Sequence, residues 1–207
     1  MNEDPHLARW NARFGAADYL FGTEPNAFLQ AETHRLRSGW SALLLADGEG
    51  RNGVWLARRG LRVTSVDFSP VGIAKAKQLA ARFSVTIDAI LADLNRWRWP
   101  KDEFDLVVGI FMQVFDPPAR TVIFERMQKA LKPGGLLLLQ GYRPEQIANG
   151  TGGPPTAENL YTEGLLRTAF SDCTILRLQS RDQVIHEGSG HDGISALIDL
   201  VALRPAG

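Results

Sequence analysis

Along the chain, short apolar runs alternate with stretches in which apolar residues recur every three or four positions. The runs at 42–46, 62–66, 85–90, 105–110 and 136–140 read as five buried strands. The stretches between them read as helices. The clearest opens with Ser69 as N-cap and Pro70 at the first helical position, and its apolar face is Ile73, Ala76, Ala80 and Phe83. A second follows Pro117 and Pro118 and buries Ile123, Met127, Ala130 and Leu131. It stops at Lys132-Pro133-Gly134-Gly135, because proline cannot continue a helix and glycine lets the chain turn directly into a strand. That strand, 136–139, is apolar on both faces, which marks a central parallel position.

Strand, helix and strand repeated in this way predict an α/β fold. The expected form is a Rossmann-like, doubly wound, mostly parallel seven-stranded sheet with helices on both faces. Two β-like runs, 174–179 and 194–203, supply a C-terminal antiparallel edge hairpin. Between 141 and 161, glycines and prolines crowd a stretch without periodicity, which reads as a long loop, and 165–170 reads as a short helix. At 207 residues one core serves the whole chain. The expectation is one domain over 1–207, with a helical N-terminal lid at 1–39 and the Rossmann-like core at 40–207.

Chemistry in such a sheet gathers beyond the carboxyl ends of the strands. There, Gly48-Glu49-Gly50-Arg51-Asn52-Gly53 follows the first strand and opens a helix through Trp55 and Leu56 to a stop at Gly60. Glycines let the backbone approach a ligand closely, and free N–H groups at the helix start can face an anion. A tight turn is the plainer reading. Asp67 ends the second strand about twenty residues on, where a carboxylate accepts hydrogen bonds from both hydroxyls of a ribose. An acid at the start of a helix is its other role. Asp93 follows the third strand and suits an adenine amino group, although an Asp there is also an ordinary turn residue.

Charge then removes several partners. Lys plus Arg and Asp plus Glu are 23 each, so the chain lacks the positive field that nucleic acid or an anionic membrane demands. Trp97 and Trp99 interleaved with Arg96 and Arg98 read as a locally basic edge. The lone Cys173 has no partner for an internal disulfide and reads as a buried thiol at a strand entry. Acidic first residues and the absence of a membrane-length apolar run point to the cytoplasm. His186-Glu187 and His191 are wrongly spaced for a zinc helix, so no metal is expected.

Taken together, Trp10 to Phe14, Phe21-Gly22-Thr23-Glu24-Pro25-Asn26, Gly48-Glu49-Gly50-Arg51-Asn52, Val66-Asp67-Phe68-Ser69, Ala92-Asp93-Leu94 and Leu131-Lys132-Pro133-Gly134-Gly135 resemble one family. It is the class I S-adenosylmethionine (SAM)-dependent methyltransferases, and within them the small bacterial branch that includes tellurite-resistance and thiopurine methyltransferases. The resemblance implies SAM as cofactor. Gly48 and Gly50, with Ala46 and Asp47, would lie under its methionine part, Asp67 would hold the ribose, and Asp93 with Phe68 and Leu94 would meet adenine. Ile110 and Phe111 would present the methyl group to the acceptor. Two departures stand out: Leu44 replaces the family's acid, and Ala46 its glycine.

The acceptor expected is a small molecule, a thiol or a chalcogen oxyanion such as tellurite. An ionised acceptor of this kind needs no general base, and no catalytic residue is assigned. Acceptor contacts are expected from Tyr19, Phe21 and Glu24 of the lid and from Arg143, Gln146 and His191. A monomer or weak homodimer is anticipated. The nearest rival is an NAD-dependent oxidoreductase, which the glycines and Asp67 fit equally well; a non-catalytic SAM-binding module is the other. Against the first, Tyr142 and Tyr161 are followed four residues on by Gln146 and Leu165 rather than the lysine of a short-chain dehydrogenase.

Overall fold

The computed structural model describes residues 4–206. Seven strands form one sheet in the order β3-β2-β1-β4-β5-β7-β6. They are β1 Ser41–Leu45, β2 Arg62–Asp67, β3 Asp88–Leu91, β4 Phe104–Ile110, β5 Leu131–Tyr142, β6 Thr174–Glu187 and β7 His191–Leu203. The chain divides into two compact units: the first runs to Trp97 and takes in Glu187–Gly190, and the second holds Arg98–His186 and the chain from His191 onward.

In the first unit β1 pairs parallel with β2, and β2 with β3. Helix α1, Pro5–Phe14, is capped by the Asp4 carboxylate, which accepts from the His6 N–H. The short α2, Ala27–Ala31, is capped by Asn26. Two further helices, α3 (Arg51–Ala57) and α4 (Pro70–Arg82), follow β1 and β2. Helix α4 begins where expected, with the Ser69 hydroxyl accepting from the Gly72 N–H at 3.1 Å and Pro70 in its first turn. Strand β3 is shorter than expected, because residues 85–87 lie outside the ladder, and Val85 and Ile87 pack instead on Val54, Leu79 and Ala80.

In the second unit β4 and β5 are parallel, and β7 runs antiparallel to β5. Helix α5, Pro117–Ala130, is capped by Asp116 and ends one residue earlier than its apolar stripe suggests. Leu131 belongs to β5, opposite Phe104, while Lys132–Gly135 bulge out before Leu136 pairs with Leu106. The break at Pro133-Gly134-Gly135 is therefore an irregularity inside a strand, pinned by Gly134 N–H to Arg204 O and by Arg204 N–H to Gly135 O. The 141–161 stretch carries one turn of helix, α6 (Gln146–Asn149), and a 3₁₀ turn, and α7 spans Glu163–Ala169.

Strand β6, at 14 residues, is far longer than the run 174–179 predicted from the sequence, and β7, at 13 residues, begins three residues before the predicted 194–203. In β6 only Ile185 is buried, so the strand leaves no apolar period. Between β5 and β6, β7 buries Asp199 completely. A buried carboxylate survives only with its charge answered, and here Arg181 Nε at 2.8 Å, Arg177 at 3.3 Å and the Gln140 amide at 2.6 Å answer it. Cys173 is half-buried just before β6, its thiol directed at Gln128.

Candidate functional site

Strand β1 is buried from Ala42 to Leu45 and delivers the chain into a turn that winds left-handed at Ala46 (φ 50°), Gly48 (56°) and Gly50 (83°). At Gly48 a Cβ would lie 3.0 Å from the Phe14 ring, and at Gly50 it would lie 2.6 Å from Ala76 Cβ on α4. Only bare backbone satisfies both the dihedral and the space. Ala46 occupies the same region with a Cβ, a conformation that costs an L residue about 1–2 kcal/mol. Ala46→Gly is accordingly expected to be neutral or to stabilise by up to about 1 kcal/mol once glycine's extra chain entropy is counted, read as a small rise in Tm.

The acid of the turn looks inward. Asp47 accepts from the Ser65 hydroxyl at 2.9 Å and from the Gly53 N–H at 3.2 Å. Burial pushes its carboxyl up to about 7, against the two hydrogen bonds and Arg51, with neighbouring Asp67 adding to the rise. The unfolded chain releases this proton near 3.8 while the folded state keeps it to about 7, so stability falls as pH rises through that window. The slope from one proton is at most about 1.4 kcal/mol per pH unit. Urea unfolding from pH 4 to 8 should show this decline, and Asp47→Asn should flatten it.

Asp67 joins the turn to the start of α4. One carboxylate oxygen accepts from the Gly48 N–H and the other from the Ser69 N–H, both at 2.8 Å. The side chain is buried, which raises its pKa against the opposing hydrogen bonds from Ser69, Gly48 and Phe68. The Asp67 carbonyl in turn accepts from the Ala92 N–H at 2.9 Å, which fixes the exit of β3. Asp93, one residue on, is exposed and turns back on its own chain, accepting from the Asn95 N–H at 2.9 Å. Leu94 is buried and Phe68 half-buried. Gly48, Asp67 and the Asp93 turn are thus linked by consecutive hydrogen bonds.

The N-terminal residues lie on the same unit. Phe14 covers Gly48, and Asn11 accepts from the Ser69 hydroxyl at 2.7 Å. The Tyr19 hydroxyl donates to the Lys75 carbonyl at 3.2 Å. Phe21 lies 6.4 Å from Trp10 and beneath the guanidinium groups of Arg13 and Arg51, whereas Glu24 is exposed. At the tip between β6 and β7, Glu187 pairs with Arg51 at 2.5 Å and accepts from the Asn26 amide at 3.0 Å.

In the second unit, β4 ends on Ile110, and Phe111 follows with φ 52°, an uncommon conformation for a bulky residue. Its N–H donates to Gln140 O, and its ring stacks on Tyr142 at 4.6 Å with His191 edge-on at 4.4 Å. The buried Gln113 grips Tyr142 by both backbone groups, at 2.6 and 2.8 Å. Arg143 pairs with Asp182 and Glu145. The Gln146 amide is buried and committed to local backbone and Thr151: it accepts from the Ala196 N–H and donates to Thr151 and Gly152.

Residues 42–135 match the family model described as "Methyltransferase domain". A thiol methyltransferase of Arabidopsis thaliana, described as probable, is 31% identical over 153 residues, 70% of this chain and 64% of that one. Residues 42–135, which hold the glycine turn and Asp67, are thus similar to a methyltransferase domain.

Solved structures share this methyltransferase fold. The N-methyltransferase NodS of Bradyrhizobium japonicum, in complex with S-adenosylhomocysteine, matches 98% of this chain and 100% of its own, at 18% identity and TM-score 0.72. TehB of Haemophilus influenzae matches 86% of this chain and 61% of its own, at 19% identity and TM-score 0.69. The chain spans 32% and 64% of the lengths of the curated relatives it matches. Among the described residues no helix is long and apolar enough to cross a membrane.

Several contacts around the glycine turn carry no motif in the sequence: Phe14 on Gly48, the Lys75–Glu49 pair and Glu187 on Arg51 and Asn26. The one local signal was a lysine inside the apolar stripe of α4, between Ile73 and Ala76. Glu187 carried none, since its partners lie 136 and 161 residues away.

Proposed function

We propose that the chain is a SAM-dependent methyltransferase acting on a small-molecule acceptor with a soft nucleophile, a thiol or a chalcogen oxyanion. The observation that carries the reading is Asp67, whose buried carboxylate sits on the Gly48 N–H and so ties a ribose-binding acid to bare backbone. The methyltransferase family match and the SAH-bound NodS fold support the cofactor. The thiol methyltransferase relative and TehB support the acceptor class.

SAM, when bound, supplies an electrophilic sulfonium methyl group. Gly48 and Gly50, with Ala46 and Asp47, offer backbone to its methionine part. Asp67 takes the ribose hydroxyls, and Asp93 with Phe68 and Leu94 takes adenine. Leu44 offers no carboxylate, and the Asp47 carboxylate is held by Ser65 and Gly53, so the ammonium falls to loop carbonyls. The acceptor residues are Tyr19, Phe21 and Glu24 of the first unit and Ile110, Phe111, Arg143 and His191 of the second; Gln146 contributes through the loop it holds. An ionised thiolate or oxyanion attacks without a base, so the protein's work is alignment and exclusion of water. Residues 1–207 act as one methyltransferase domain.

The test is S-adenosylhomocysteine formation with SAM and a panel of small thiols, selenite and tellurite, beside amine and hydroxyl acceptors. Turnover on the sulfur or chalcogen acceptors is expected. Turnover confined to amines or hydroxyls would refute the acceptor class, and none with any acceptor would leave a SAM-binding module.

A further inference from the structure

Helix α4 buries a lysine. Lys75 is 8% exposed, on a face shared with Gly72, Ile73, Ala76 and Leu79, and a buried ammonium must find oxygen partners for its three protons. It has four. Nζ lies 3.2 Å from Phe14 O, 2.9 Å from Ala16 O and 2.7 Å from Asp18 O, and pairs with Glu49 Oε1 at 2.6 Å. Phe14 is the last residue of α1, so the lysine also takes up carbonyl charge where that helix ends. The Tyr19 ring lies 4.7 Å from Nζ.

Glu49 makes the second half of the connection. It is buried between Gly48 and Gly50, and its other oxygen accepts from the Leu20 N–H at 2.8 Å. One ion pair therefore holds residues 14–20 and the glycine turn at once. Its consequence is the Phe14 ring laid on Gly48 and on Gly72, at 3.0 and 3.2 Å from where a Cβ would be. Removing Lys75 frees three carbonyls of the N-terminal segment, removing Glu49 frees the Leu20 N–H, and either loss leaves one charge buried without its counterpart.

We propose that Lys75 and Glu49 are positioning residues of the cofactor site, a latch that holds residues 14–20 closed over the glycine turn and thereby sets cofactor affinity. The assignment of the turn to SAM rests on the function proposed above; the latch itself does not. Neither residue touches reacting atoms. Lys75→Met removes the charge at similar length, Lys75→Arg keeps it, and Glu49→Gln keeps an acceptor for Leu20 while breaking the ion pair.

Hydrogen exchange of the ligand-free protein and calorimetric titration with S-adenosylhomocysteine decide the matter. Lys75→Met and Glu49→Gln are expected to speed exchange of amides 14–22 at least tenfold, with β1 and β2 unchanged, and to weaken S-adenosylhomocysteine about tenfold. Lys75→Arg should restore much of both. Unchanged exchange at 14–22 in both variants, or an equal rise across β1 and β2, would overturn the latch. If Lys75→Met does not fold, Glu49→Gln decides alone. Failure of the wild type to bind S-adenosylhomocysteine would sink the cofactor reading, and the exchange result would still judge the latch.

Discussion

Gly50→Ala is expected to destabilise the protein by about 2–5 kcal/mol, combining the left-handed penalty of about 1–2 kcal/mol with about 1–3 kcal/mol of overpacking. The backbone at Gly50 is at φ 83°, and a Cβ there would stand 2.6 Å from Ala76 Cβ and 2.9 Å from Ala76 Cα. The clash is with helix backbone, so no side-chain rotation relieves it. For a chain of this size the loss corresponds to a Tm lowered by roughly 4–20 °C. Gly134→Ala is the control, because Gly134 is also left-handed (φ 76°) with nothing within 4 Å. It should cost only the conformational part. Equal losses at the two positions would show that α4 yields to the turn, and would remove the rigid support on which the site depends.

Asp67→Ala carries the second large effect, and it falls on binding. The range for hydrogen bonds to a charged group, about 1.5–3 kcal/mol, gives a ten- to hundredfold loss of SAM or S-adenosylhomocysteine affinity. The substitution also strips the acceptor from the Gly48 and Ser69 N–H groups. A buried unsatisfied donor costs about 1–3 kcal/mol, so stability should drop as well. Asp67→Asn keeps one acceptor oxygen but turns an NH2 toward the other N–H, so part of the stability should return while the affinity stays impaired. Wild-type affinity in Asp67→Asn, measured by calorimetry, would mean that the carboxylate serves the turn and not a ligand.

Where local pattern dominates, the fold was legible beforehand. Ser69-Pro70 opened α4 as expected, and the wholly apolar 136–139 run lies in β5, inside the sheet. What escaped was set by distant partners. Leu131 fits the apolar stripe of a helix by its spacing, but pairing with Phe104 draws it into β5. Strand β6 is only partly announced by the sequence, because Arg177, Gln179, Arg181 and Gln183 alternate with residues that are exposed or only partly covered, so no burial contrast appears along it. The site divides in the same way. Gly48, Gly50 and Asp67 come from turns whose spacing is itself the signal, and the Gly48–Asp67 contact follows from adjacent parallel strands. The contacts of Lys75 and Glu187 depend on how the N-terminal segment folds back, and no spacing in the chain announces them.

Calorimetric titration of the wild-type protein with S-adenosylhomocysteine, run beside NAD, reaches the core of this account. Saturable one-to-one binding of S-adenosylhomocysteine, with no heat from NAD, is the result predicted. Binding of NAD with no response to S-adenosylhomocysteine would mean that Gly48 and Asp67 serve a different nucleotide, and the methyltransferase reading would fall.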